Sequence, residues 1–519
     1  MNKGLLRFFL LVAAACTLPL GGLGKNVEDS LVLGVLSTRT TDIRPLNPVE
    51  RDIVSLYGVV YESLVTVDDS GMPQPLLAES WSESGNGKTW TFTLREHITF
   101  SDGTELLASD VAASCQYILD MANNKEIANN GFYQNMRYLV DSVKANNDER
   151  TVVVKAKRSY YGLLYSMTFP IVPAAQVNEP GPLGTGPYVI HTFEVGEYML
   201  LLHNQNWWQP EPQVKEIMVN FYNSNKEMIT AYEYGRVDAV FTRSVAAAQY
   251  KSGISSLSIA YSTRQLETLM LNHKEFPLGS LKIRQAIRYA IDTKLISQNV
   301  YMGMTIEANT PISSESWLYY DQENQFVYNP EKAMELLAEE GWSDSNNDGV
   351  LDMILPDGKL RNLHLRLSVY EDPENNVRYE AAERIKDMLA IVKIRVEIKR
   401  MNYQEVKTEL EKGTFDMALC AFQMDVVPDC GFFLIKGNAQ NYGRYVGSDM
   451  TTLFNTLRTN KDSAEFAYTS QAIQQQFAAD RPFICLFYRS GAILTRKMFT
   501  TVRSIREYEL LRGIEAFGR

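Results

Sequence analysis

Five histidines, His97, His191, His203, His273 and His364, are the whole imidazole supply of this chain. No two stand four residues apart, so the helical His pair of a metalloprotease is absent. No G-x-S-x-G elbow, C-x-x-C pair or G-x-G-x-x-G loop occurs. Gly87-Lys88-Thr89 ends like a phosphate loop, but Ser82 stands where the leading glycine belongs, so the stretch reads as a turn before a strand. One loop carries metal-like spacing. Asp344, Asn346 and Asp348 fall at positions one, three and five of a calcium loop, with Gly349 at six and Asp352 at nine. Position twelve, which needs a bidentate Glu, is Leu355; the competing reading is a polar hairpin turn. Apart from that candidate no metal, cofactor or catalytic residue is expected, and the chain does not read as an enzyme.

The composition is that of an ordinary globular protein and names no function by itself. Of 519 residues, 51 are Lys or Arg and 62 are Asp or Glu, giving a net charge of −11. A chain that neutralises phosphates needs a basic face, so nucleic acid is excluded as a partner. Tyr (28), Phe (22) and Trp (6) supply aromatic walls for clefts. The length exceeds what one core supports, which predicts two or three lobes.

The N-terminus sets the compartment. Lys3 and Arg7 precede the apolar run Phe8 to Val12 and then Ala13-Ala14-Ala15-Cys16, the order of a secretory signal. It reads either as a plain leader, 1–24, cut after Gly24, or as a lipoprotein leader in which Cys16 carries the lipid. Both place the protein outside the cytoplasm, in the periplasm or on the outer face of the membrane. Setting Cys16 aside leaves Cys115, Cys420, Cys430 and Cys485, an even number that export could pair or that could stay as buried thiols.

The elements that must position any site alternate strand and helix. Leu31 to Leu36 reads as a buried strand. Trp90, Phe92 and Leu94 alternate with Thr89, Thr91 and Thr93, and the Leu363/Leu365/Leu367/Val369 and Ile394/Val396/Ile398 sets repeat that period. Ile283, Ala286, Ile287, Ala290 and Ile291 follow helical spacing. Asn329 and Pro330 open another helix, with Ala333, Met334, Leu337 and Ala338 on its core face and Gly341 as its stop. The class is α/β. Breaks fall at 179–187, 274–280 and 480–482, which predicts lobes built from discontinuous pieces.

Several of these stretches, taken in order, resemble the family 5 extracellular solute-binding proteins, the peptide receptors of ABC importers. Pro75 to Trp81 leads to Lys88 to Arg95, then Phe100-Ser101-Asp102-Gly103-Thr104 and Ser109-Asp110-Val111. Gly184-Thr185-Gly186-Pro187-Tyr188 follows, then Tyr234 to Asp238, the helix Ile283 to Asp292, and the Phe422 to Asp429 segment. The resemblance runs from about Leu31 to about Tyr488. It implies a two-lobed periplasmic-binding-protein-like fold with a hinge and an extra domain in the first lobe. The lobe I core is expected from 25–74, 184–275 and 482–519, the extra domain from 75–183, and lobe II from 276–481. Gly184, Thr185, Gly186 and Pro187 are expected as a hinge crossing.

The resemblance also implies the ligand chemistry. Peptide binders of this kind seat the ligand's α-amino group on an Asp, and Phe422-Gln423-Met424-Asp425 matches that stretch. Asp425 is the expected amine clamp, with Phe422 and Met424 beside it, although Phe422 stands where a Trp is usual. Thr38 and Arg39, in the loop after the first strand, are expected to line the cleft. Arg44 is a further candidate for a carboxylate, and Phe132, Tyr133 and Tyr138 for pocket walls. The expected partners are a peptide ligand and an ABC permease with its ATPases, with the receptor itself a monomer. The alternatives keep the fold with another cargo (nickel chelate, haem, oligosaccharide) or make it a ligand-binding sensor beside a membrane kinase.

Overall fold

Leu31, Leu33 and Val35 lose all contact with water at the centre of the first strand, β1 (Ser30–Leu36), as a continuous apolar run does when flanked by parallel neighbours. The computed structural model describes residues 30–124, 132–250, 256–320, 327–372, 376–496 and 505–514. The leader 1–24 and Cys16 lie outside them. After β1 come a two-stranded ribbon, β2 (Val65–Val67) with β3 (Pro73–Pro75), and a four-stranded sheet of β4 (Ala78–Glu83), β5 (Thr89–Leu94), β6 (Val140–Asn146) and β7 (Thr151–Ala156) in the order β4-β5-β7-β6. Trp90, Phe92 and Leu94 point to the buried face of that sheet, as their alternation predicts.

The remaining strands are β8 (Tyr188–Glu194), β9 (Tyr198–His203), β10 (Glu216–Tyr222), β11 (Ala239–Thr242), β12 (Leu257–Leu271), β13 (Thr305–Glu307), β14 (Asp352–Ile354), β15 (Leu360–Asn362), β16 (His364–Tyr370), β17 (Arg395–Met401), β18 (Met417–Gln423) and β19 (Phe483–Thr495). All but the β14-β15 hairpin join β1 in one path, β17-β16-β18-β12-β19-β11-β1-β10-β9-β8, with β13 on β19. The path divides at its middle. β1, β8, β9, β10 and β11 form the sheet of the first lobe, and β16, β17 and β18 that of the second. β12 and β19 run antiparallel through both: Leu257 to Ser262 pair with Thr495 to Ser490, and Leu266 to Met270 with Tyr488 to Phe483. The ladder is interrupted between Ser262 and Leu266. The chain passes from lobe to lobe there.

Helices cover both sheets. The helix Leu281–Ala290 buries Ile283, Ala286, Ile287 and Ala290. In Pro330–Glu339 the Asn329 side chain accepts from the Lys332 N–H at 2.9 Å, the predicted cap. Its buried residues are Ala333, Leu336 and Leu337, while Ala338 is exposed, so the apolar face is turned from the predicted one. The helix Ser463–Asp480 sets Phe466 against Tyr160 and Tyr161, with ring centroids 5.9 and 5.4 Å apart. One apolar cluster is thereby continuous from the first lobe into this helix. Among the described residues no helix is long and apolar enough to cross a membrane.

Two expectations are corrected by this geometry. Gly184 to Pro187 is not at the crossing between lobes. Thr185 is fully buried with its hydroxyl donating to Glu62 at 2.9 Å, and the Gly186 N–H donates to the Val60 carbonyl at 2.9 Å, so the stretch is clamped inside the first lobe. The calcium loop is a self-satisfied turn. Asp344 pairs with Lys393 at 2.7 Å, Asp352 accepts from the Ser345 N–H and hydroxyl at 3.1 and 2.6 Å, and Asn346 bonds Asp348 at 3.0 Å. These neighbours hold Asp344 Oδ2, Asp348 and Asp352, and among the described residues no group of three or more His, Cys, Asp or Glu is placed to hold an ion. Cys115, Cys420, Cys430 and Cys485 are buried free thiols.

A Cβ on Gly184 would lie 2.0 Å from the Val60 carbonyl oxygen, whereas one on Gly58 would meet nothing nearer than 3.6 Å. Gly184→Ala should therefore cost about 2–3 kcal/mol in urea unfolding, with Gly58→Ala close to neutral. Equal midpoints for the two variants would contradict the packing described.

Candidate functional site

Between the lobes lie two connected hollows, one of about 1110 Å³ and one of about 880 Å³, which share Tyr165, Arg264, Met424, Asp425 and Val426 as walls. Both are within the range that holds small ligands. The second lobe contributes Gln423 to Val426, where β18 ends. The first contributes Glu62, Phe132, Tyr133 and the indoles Trp207 and Trp208. Glu62 holds both indoles, accepting from Trp207 Nε1 at 3.3 Å and Trp208 Nε1 at 2.9 Å. The walls touch across the cleft: Arg51 Nη2 donates to Gln423 Oε1 at 2.9 Å, and Asn135 Nδ2 to Asp425 Oδ1 at 3.4 Å.

A third wall was invisible in the sequence. The C-terminal segment 505–514 lies along the floor and places residues in both hollows. Its Glu507 is buried and gathers groups from both lobes. Arg51 Nη1 stands 3.0 Å away, Gln423 Nε2 donates at 3.2 Å, and the Arg264 N–H donates at 2.8 Å. Burial alone would raise its pKa, but these donors and Arg243 hold it below the ordinary value. Arg506 donates to the Val67 and Asp68 carbonyls at 3.0 and 2.8 Å, and Arg512 pairs with Asp69 at 3.3 Å, which ties the segment to the first lobe. Two aromatic cleft residues, Tyr133 (φ 58°) and Tyr508 (φ 71°), occupy the left-handed region that side chains avoid. Both meet Phe132, at ring distances of 6.4 and 5.7 Å. Such strain persists where the surroundings over-determine a conformation, and it concentrates at ligand clamps.

The structure brings some predicted residues together and not others. Asp425 and Met424 line both hollows. Asp425 is exposed to the cleft, with protein atoms close around it. That burial pushes its carboxyl above the ordinary value, against the Arg264 charge and the backbone N–H groups of Val427 and Val426. Its hydrogen bonds from Asn135 and Val427 both fall on Oδ1 and are long, at 3.4 Å. Phe422 is not a cleft residue: β18 alternation turns it into an aromatic cluster with Phe433 (5.0 Å), Phe432 and Tyr442. Thr38 and Arg39 are likewise corrected. Their backbone N–H groups donate to Glu50 Oε1 at 2.9 and 3.0 Å, and the Arg39 guanidinium reaches the Val49 carbonyl, so the loop folds onto Glu50 outside the lining. Arg44 is paired with Asp42 at 2.6 Å, and Tyr138 is exposed beside Arg137.

Comparison with known proteins supports this two-lobed reading. The family model described as bacterial extracellular solute-binding proteins, family 5 middle, matches residues 72–444. The nickel-binding periplasmic protein of Escherichia coli strain K12 is 28% identical over 323 residues, covering 58% of this chain and 60% of that relative. The oligopeptide-binding protein AppA of Bacillus subtilis strain 168 is 23% identical over 460 residues, covering 83% and 81%. Among solved structures, the nickel ABC transporter protein from Bacillus halodurans superposes with a TM-score of 0.77 at 20% identity over 92% of this chain and 98% of its own. AppA from Bacillus subtilis in complex with a nonapeptide superposes at 0.65, with 21% identity over 94% and 98%.

An ionised Asp425 sits in the cleft wall at a cost, since its folded-state pKa is raised by burial. That cost is present at pH above the raised value and disappears as pH falls through it and past the unfolded value. Asp425→Asn should therefore raise the melting temperature of the ligand-free protein at pH 7 and leave it unchanged near pH 3. A lower melting temperature at pH 7 would show that the carboxylate is compensated within the protein.

Proposed function

Because the chain belongs to the family 5 bacterial extracellular solute-binding proteins, we propose that it captures peptides between its lobes and hands them to a membrane permease. The coarser part is plain from the family: these proteins are the solute-binding receptors of ABC importers. They bind and deliver; they are not enzymes. The cargo is our own reading, and Asp425 is the observation that carries it. It is a carboxylate in a protein-lined cleft with long hydrogen bonds on one oxygen and a pKa raised by burial. A ligand ammonium would supply the missing charge-assisted bond. Edge backbone and the indoles of Trp207 and Trp208 would accommodate the rest without demanding particular side chains. The AppA relative, named for oligopeptides, supports the same reading.

A chelated metal as cargo is the second reading, favoured by the nickel-binding relative at 28% identity. Among the described residues no group of three or more His, Cys, Asp or Glu is placed to hold an ion, so such a cargo would bring its own ligands. Export by the leader, with Cys16 as a lipid attachment point, and a monomeric receptor complete the proposal.

The test compares ligands that differ only at the amine. Asp425→Asn should weaken binding of free-amine peptides by about 10- to 100-fold, the size of a charge-assisted bond, and barely change that of the N-acetylated forms. Titration calorimetry, or the fluorescence of the cleft indoles, reads both. An equal loss for both ligand sets would remove Asp425 from the role.

A further inference from the structure

Beside Asp425 lie further charges without an ion pair among the described residues, exposed Glu315 in the second hollow and Arg264 in both. Other acidic groups of the cleft are engaged: Asp68 by Ser70, Met72 and Gln74, Asp69 by Arg512, Glu509 by Arg506 and Arg512. Arg264 is different. It lies in the interruption of the β12-β19 ladder and lines both hollows. Its backbone is fixed at both ends, the N–H donating to Glu507 and the carbonyl accepting from the Met424 N–H, each at 2.8 Å. Its guanidinium lies 4.9 Å over the Tyr508 ring and, among the described residues, enters no ion pair within 4.0 Å. Stacking on a ring face leaves the edge of the guanidinium fork free, and that edge matches a carboxylate in two parallel bonds.

We propose that Arg264 receives a carboxylate of the ligand, so that the cargo is a zwitterion whose carboxylate lies within about two residues of its amine. The inference rests on the assignment of the amine to Asp425. Spacing sets the limit. Gln265 pairs with Gln423, so Arg264 and Asp425, two residues past the end of β18, stand on adjoining segments; neighbouring strand backbones are about 5 Å apart, while an extended peptide advances about 3.4 Å per residue. The carboxylate held at Arg264 is then the C-terminus of an amino acid or dipeptide, or an acidic side chain at the start of a longer peptide. Tyr508, fixed in its left-handed conformation by the C-terminal segment, acts as the platform that aims the fork.

Calorimetry on the leaderless protein with three probes separates these sources: Ala-Ala, Ala-Ala amide and Asp-Ala amide. The wild type should bind at least one carboxylate-bearing probe about tenfold or more tighter than Ala-Ala amide. A preference for Ala-Ala identifies a C-terminus, and a preference for Asp-Ala amide an acidic side chain. Arg264→Gln should abolish the preference, and Arg264→Lys should restore part of it. Asp425→Asn should weaken all three probes while keeping their ratio. The ratio is read within one protein, so partial unfolding of a variant lowers every titration without creating or erasing it. A wild type that binds all three alike, or an Arg264→Gln that keeps the preference, overturns the role of Arg264 and leaves the amine reading intact. Failure of all three to bind overturns both.

Discussion

Both lobes, and the cleft between them, depend on the antiparallel pairing of β12 with β19. Each is long enough to belong to two sheets, and their ladder shifts register twice, between Ser262 and Leu266 and between Glu267 and Thr268. A broken ladder leaves backbone groups that must find other partners. Here they do. Ser262 accepts from the Glu507 N–H, Arg264 donates to the Glu507 carboxylate and accepts from Met424, and Gln265 donates to the Thr263 hydroxyl. The C-terminal segment is therefore the piece that completes the crossing. The same segment floors the cleft, so the way the lobes are joined and the shape of the ligand site are one feature.

The crossing also explains why uncompensated charge accumulates there. Glu507 satisfies the backbone of Arg264 and leaves its guanidinium free, while the end of β18 carries Asp425 out of the apolar sheet into the cleft wall. Neither charge is neutralised within 4.0 Å among the described residues, and burial penalises the carboxylate. A ligand that supplies the opposite charges gains interaction free energy only where both walls surround it. Binding therefore favours the arrangement in which Arg51 meets Gln423 and Asn135 meets Asp425.

Much of the scaffold was legible in the sequence because it rests on local periodicity. The Thr-alternating strand around Trp90, the capped helix from Pro330 and the apolar run of β1 all follow from residue spacing. So did Asp425 and Met424, through the motif order. Thr38 and Arg39 failed because Glu50, eleven or twelve residues on, takes their backbone N–H groups, a local competition that polarity alone does not reveal. Phe422 failed because on β18 it alternates with exposed Ala421 and Gln423 and so turns into the aromatic cluster around Phe433. Arg264, Glu507 and Tyr508 carried no signal at all. Their roles arise from contacts between distant parts of the chain, such as the bond from Arg264 to Glu507 across 243 residues.

The most direct measurement is native mass spectrometry of the leaderless protein purified from cells, with any bound cargo released by denaturation and weighed. The account predicts a set of peptide or amino-acid masses that bear a free amine and are lost in parallel from Asp425→Asn protein. A single bound species with no amine, such as a metal chelate or a sugar, would keep the two-lobed receptor and contradict the chemistry assigned to its cleft.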